Sequence, residues 1–147
     1  MNATELQAYL HDRIPLSRAM AVEVREATVD GVTLHAPLAP NINHRDTVFG
    51  GSASSVAILA AWSALLVRMR SEGVEGRIVI RRNSMSYDRP ITAAFTATAA
   101  PPDVAAWARL TATLARGRVA RVELSARLEC QGTPVGRLDG EFAVLPA

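Results

Sequence analysis

The chain has 147 residues, nearly half of them hydrophobic and a fifth charged, which is enough to bury a core and lies outside the composition of disordered chains. A single cysteine, Cys130, excludes an intrachain disulfide, and one Cys with three scattered His cannot assemble the common zinc patterns, so no metal site is expected. All sixteen basic residues are arginine, the formal net charge is only +2 and no aromatics interleave with the arginines, which argues against a nucleic-acid surface.

Glu5, His11, Asp12 and Arg13 stand where a secretion signal needs an apolar run, so one cytoplasmic domain over residues 1–147 is expected. Thr4 to Arg13 predicts a short helix with Leu6, Leu10 and Ile14 on one face, capped by Thr4 and closed by Pro15. Val22 and Val24, then Val32, Leu34, Ala36 and Leu38, alternate with polar residues on either side of an Asp30-Gly31 turn, the pattern of a hairpin with one dry face. A polar loop follows Pro40. From Thr47 to Val67 no charged residue occurs. A membrane span needs ~20 apolar residues, but Gly50, Gly51, Ser52, Ser54, Ser55 and Ser63 interrupt this run, and a buried core helix ending near Gly73 fits better.

The second half reads as strand. Ile78 to Tyr87 and Thr92 to Ala99 are two strands, bounded by Pro90 and by Pro101-Pro102. Asp103 caps a helix carrying Val104, Trp107, Leu110 and Leu114, with Gly117 at its end. Ala120 to Glu129 alternates strictly between apolar and polar residues, and Gln131-Gly132 turns the chain into a last strand with Leu138, Phe142 and Val144 inside and Asp139 and Glu141 outside. Cys130 ends a strand on its apolar face and reads as an inert core thiol. The economical arrangement is α+β, one antiparallel sheet wrapped around one long central helix, which explains why that helix has no polar stripe.

This order of elements, the Asn43 to Phe49-Gly50-Gly51 entry to the central helix and the Tyr87-Asp88-Arg89-Pro90 segment resemble the hotdog-fold thioesterases. More narrowly, Leu38 to Arg45, Phe49 to Ser52 and the Asp103 to Arg118 insert resemble a bacterial subgroup of that superfamily, also found fused C-terminal to an acetyltransferase domain. The resemblance implies hydrolysis of an acyl thioester on coenzyme A or an acyl carrier protein by activated water, with no cofactor, in a homodimer or a tetramer built from it. A noncatalytic acyl-thioester binding module and a hydroxyacyl-thioester dehydratase of the same fold are the alternatives.

The residues agree with that implication in part. Gly50 and Gly51 let a carbonyl approach the free N–H groups of a helix start, where the helix dipole adds positive potential, so the Gly51 N–H is the candidate oxyanion donor. The same glycines also suit a tight turn. Asn43 matches the position where relatives hold water or the substrate carbonyl, and equally suits an Asx turn. His44 and Asp46 are candidate general bases, or plain loop residues. Phe49, Gly50 and Ser52 line the expected substrate site. Ser52, Ser54 and Ser55 are read as packing residues, because no Gly-x-Ser-x-Gly elbow is present. Many relatives carry a carboxylate about two turns into the helix; here Val56-Ala57-Ile58-Leu59 stands instead and no acid precedes Glu72. Polar residues of the following strand, Asn83 and Ser84 with Ser86, are a second source for water activation. Arg82, Arg89 and Arg118, with Arg81 and Arg116, are candidates for a basic rim that grips the coenzyme's phosphates.

Overall fold

The computed structural model describes residues 1–147. The chain runs α1 (Ala3–Arg13), α2 (Pro15–Ala19), β1 (Glu23–Thr28), β2 (Gly31–Ala36), a 3-10 turn (Ala39–Asn41), α3 (Gly50–Ser71), β3 (Arg77–Tyr87), β4 (Phe95–Ala99), α4 (Val104–Ala115), β5 (Ala120–Cys130) and β6 (Thr133–Leu145). The strands form one sheet in the order β1-β2-β4-β5-β6-β3, and every pairing is antiparallel.

The uncharged run becomes α3, and its small residues explain how closely the sheet approaches it. Ala57, Ala60 and Ala61 are fully buried, and Val56 and Leu65 sit with them against inward residues of the strands such as Leu34, Phe95, Ala97, Leu128, Leu138 and Phe142. By length and composition α3 could cross a membrane, but here it is the core helix of a wrapped sheet. α1 helps close the open side of the wrap: Leu6 and Leu10 are fully buried and Tyr9 stacks on Trp62 of α3, with ring centroids 6.3 Å apart. The alternation predicted for β5 is borne out, with inward Ala120, Val122, Leu124, Ala126 and Leu128, and Cys130 is a buried free thiol.

Three expectations at element ends are corrected. The cap of α1 is Asn2 and not Thr4: the Asn2 side chain accepts from the Glu5 N–H while the Glu5 carboxylate accepts from the Asn2 N–H, a reciprocal box that satisfies two otherwise free donors. The fourth strand begins at Phe95 rather than Thr92, because Pro90 and the bend after it delay pairing. Val104 opens α4, as placed, but faces solvent; Trp107 and Leu110 carry the packing, and the Trp107 indole N–H donates to Glu72 at 2.9 Å, tying α4 to the end of α3.

The sheet's two edges differ. Along β1 the Val24 N–H donates to the Gln7 side chain at 2.9 Å and His11 Nε2 donates to the Val22 carbonyl at 2.8 Å, so α1 occupies that edge; a bulge between Val24 and Glu26 disrupts it further. β3 pairs with β6 on one side only, and its 11 residues leave the other side open.

Because Ala60 is fully buried where helix and sheet meet, Ala60→Leu should cost about 1–3 kcal/mol of stability by overpacking. Urea unfolding measures this, and Ser71→Leu at the exposed end of α3 should cost far less.

Candidate active site at the start of the central helix

The loop before α3 is folded by Asn43. Its Oδ1 accepts from the N–H of Arg45 at 2.8 Å, which is an Asx turn, and from the N–H of Thr47 at 3.2 Å; its Nδ2 donates to Thr47 Oγ1 at 3.0 Å and to the Val48 carbonyl at 3.4 Å. The Asn43 N–H donates to the Thr47 carbonyl at 2.8 Å, and Ile42 bridges Val48. The amide expected to hold water or a carbonyl thus has both ends engaged within its own loop. Asp46 takes a positive φ of 62°, a conformation Asp tolerates better than most residues, and with His44 it stands exposed at the tip of the turn.

The three residues at the entry to the helix are each pinned by a hydrogen bond, Val48 and Gly50 from the Tyr87 to Ile91 segment and Phe49 from Asn41. Val48 N–H donates to the Ile91 carbonyl at 2.8 Å, and Phe49 N–H donates to the Asn41 carbonyl at 2.7 Å. The Tyr87 hydroxyl donates to the Gly50 carbonyl at 3.1 Å. Asn41, only 2% exposed, is itself anchored, its Nδ2 donating to the carbonyls of Met20 at 2.9 Å and Pro37 at 2.8 Å.

The helix that starts here is uncapped. No side chain bonds its first turn, Ala53 donates to the Phe49 carbonyl, and the N–H groups of Gly50, Gly51 and Ser52 have no acceptor within the chain. Three free donors at the positive end of a 22-residue helix are a receptor for developing negative charge. At Gly51 a Cβ would lie 2.3 Å from the Phe49 ring and displace it, whereas at Gly50 it would lie 3.4 Å from the Tyr87 ring, an ordinary contact. Gly51 and Phe49 are exposed, and Ser52 is half-buried behind them.

The other predicted residues lie elsewhere. Arg82, Asn83 and Ser84 line a cleft of about 640 Å³ with Glu123, Ser125 and Asp139 of β5 and β6, and no residue of the loop before α3 borders it. Arg89 and Arg118 are exposed. Two acidities are displaced by the fold, both on the sheet: burial, then the Arg25 charge, lowers the His35 imidazole, against a smaller opposing pull from Glu23. Hydrogen bonds from Arg137 and Ser125 lower Asp139. A cleft of about 660 Å³ lies toward the other end of α3 and is lined by Tyr9, Trp62, Leu66, Met69, Val74 and Ile78 among others. Sequence reasoning noted Tyr87 as part of a motif but assigned it no role at the helix start; a contact between residues 37 apart leaves no local signal.

An antiparallel sheet wrapped around one buried helix, whose uncapped start opens beside a polar loop, is the hotdog fold of the thioesterases. Residues 3–146 match the family model described as "Putative thioesterase (yiiD_Cterm)", and the chain belongs to that family. The crystal structure of a protein from Shewanella oneidensis described as a "putative thioesterase" superposes with a TM-score of 0.88 at 31% identity, over 98% of this chain and 97% of that one. A protein of unknown function from Chlorobaculum tepidum superposes with a TM-score of 0.90 at 27% identity, over 99% and 94% of the two chains. A mutant thioesterase from Pseudomonas aeruginosa shares the fold, with a TM-score of 0.79 at 15% identity over 100% and 96%.

Asn43→Ala removes the five side-chain hydrogen bonds that fold the loop and should cost about 1–3 kcal/mol. Amide hydrogen exchange at Thr47 and Phe49 should accelerate with it; unchanged protection there would show that the loop does not depend on this side chain.

Proposed function

We propose that the protein hydrolyses an acyl thioester, carried on coenzyme A or an acyl carrier protein, by direct attack of water at the start of α3. The observation that carries this reading is the set of unpartnered N–H groups beginning at Gly50, with Gly51 exposed among them. The thioester carbonyl oxygen accepts from the Gly51 N–H. As water adds, the carbonyl π electrons move to that oxygen, and one well-aimed donor of this kind contributes ~3 kcal/mol to holding the charge. His44 or Asp46 takes the proton released by the water. The tetrahedral intermediate then collapses, the C=O bond re-forms and the C–S bond breaks, and the thiolate leaves to be protonated. Arg89 stands two residues past Tyr87, whose hydroxyl reaches the Gly50 carbonyl, and its role is to meet the carrier's phosphates.

The working unit of this reading is a homodimer joined across β3 in a cytoplasmic setting. The open edge of β3 supports it, as does the occupied edge of β1, and Val79 and Tyr87 are exposed apolar residues along the open strand. An antiparallel two-fold pairing would set the Tyr87 end of one strand beside the Arg77 end of the other. The start of one α3 would then face the apolar cleft of the partner, which would receive the acyl chain.

One observation favours a second reading, an acyl-thioester binding module without turnover: α3 carries no carboxylate before its C-terminal end. A panel of acyl-CoAs with detection of free thiol separates the two, since saturable binding without thiol release selects the binder and an enoyl product selects a dehydratase. Gly51→Pro removes one donor but also sets a Cβ against the Phe49 ring, so its control is Gly51→Ala, which adds the same Cβ and keeps the N–H; kcat should fall about 100-fold further in the proline variant than in the alanine one. His44→Ala or Asp46→Asn should lower kcat by about 100-fold or more, whichever residue is the base; full activity in both would refute this assignment.

Mixed dimers test the shared site. Val74→Trp fills the cleft and should abolish long-acyl turnover, as Gly51→Pro does. Mixing the two inactive chains should restore about a quarter of the wild-type long-acyl rate, because half the dimers then hold one intact site. No recovery would place cleft and donor on the same chain.

A further inference from the structure

We infer that Tyr87 is a positioning residue for the Gly51 N–H, acting through the single peptide group that joins Gly50 to Gly51. This deepens the thioester reading of the site and rests on it for its catalytic consequence. The carbonyl that Tyr87 binds and the N–H proposed to hold the oxyanion belong to the same planar, conjugated unit, so whatever fixes one orients the other. The Gly50 carbonyl also belongs to the helical ladder, in which a carbonyl accepts from the N–H four residues on. Two donors on one carbonyl oxygen draw electron density from the amide, and the N–H at its far end becomes the stronger donor.

The placement of the hydroxyl follows from the sheet. Tyr87 ends β3 opposite Gly136, where a Cβ would come within 2.7 Å of the Ser86 carbonyl, so the two strands run tightly together up to this residue. Immediately beyond, the N–H groups of Asp88 and Arg89 both donate to the Val135 carbonyl, at 2.9 and 3.2 Å. The ring lies over Gly50, where an added Cβ would meet it at 3.4 Å. Tyr87 is nevertheless 57% exposed, so its hydroxyl bond adds little to global stability. What the bond governs is the tilt of one peptide plane at the mouth of the proposed site.

The test is Tyr87→Phe in the full chain, which keeps the ring on Gly50 and removes only the hydroxyl. Two-dimensional amide NMR of the unliganded protein should show the Gly51 resonance moving upfield, as a weaker donor does, while the Ser52 amide, whose peptide carbonyl is that of Gly51, stays in place. With acyl-CoA, kcat should fall about fivefold while KM holds within twofold and the urea midpoint is unchanged. An unmoved Gly51 resonance overturns the inference, and so does an unaltered kcat. If the wild-type protein releases no thiol from any acyl-CoA, the thioester reading fails alone, and the Gly51 resonance still decides whether the hydroxyl acts on that peptide.

Discussion

A helix without a polar stripe has to be covered on nearly every side, and α3 is such a helix. Its buried alanines and valines would face water on any flat sheet, so the strands curve around it, and Tyr9 of α1 stacks on Trp62 of α3. This burial has a further effect. A helix held along its length by close packing does not fray, and only its two ends remain available for polar chemistry. At the C-terminal end Arg68 pairs with Glu72, and the indole of Trp107 donates to the same Glu72. The N-terminal end has no such partner.

That free end is held from outside the helix. Successive residues Val48, Phe49 and Gly50 are bonded to Ile91, Asn41 and Tyr87, which come from two stretches of chain, the turn before the loop and the segment that leaves β3. Asn41 in turn reaches back to Met20 and Pro37. The donors at the helix start therefore have a fixed direction before any ligand arrives, which is the condition under which such donors stabilise developing charge well. The loop ahead of them is braced by Asn43 from within, leaving His44 and Asp46 as the groups free to meet solvent.

How much of this could be read from the residues depended on distance along the chain. The charge-free run and the strict alternation of β5 are local patterns with one physical meaning each, and both elements formed where expected. The Asx turn of Asn43 spans two residues and was one of two readings open at that position. The Asn2-to-Glu5 box was also local, yet Thr4 drew the assignment because it stands closer to the first apolar residue. Tyr87 on Gly50, Ile91 on Val48 and the two side chains of α1 on β1 depend on how distant segments meet, and composition carries no trace of them. For the same reason Arg82, Asn83 and Ser84, near the site in sequence order of elements, lie in a cleft that the loop does not border.

Gln7 accepts from the N–H of Val24 in β1 and His11 donates to the carbonyl of Val22 just before it, while nothing in the chain meets the outer edge of β3. A sheet with two open edges can add copies at both ends and lengthen without limit, as fibrils do. An edge engaged in this way is a poorer template for a further strand than a bare one, so β3 is the readier place for strand addition. Two polar side chains on an N-terminal helix thereby work against open-ended growth at the other edge.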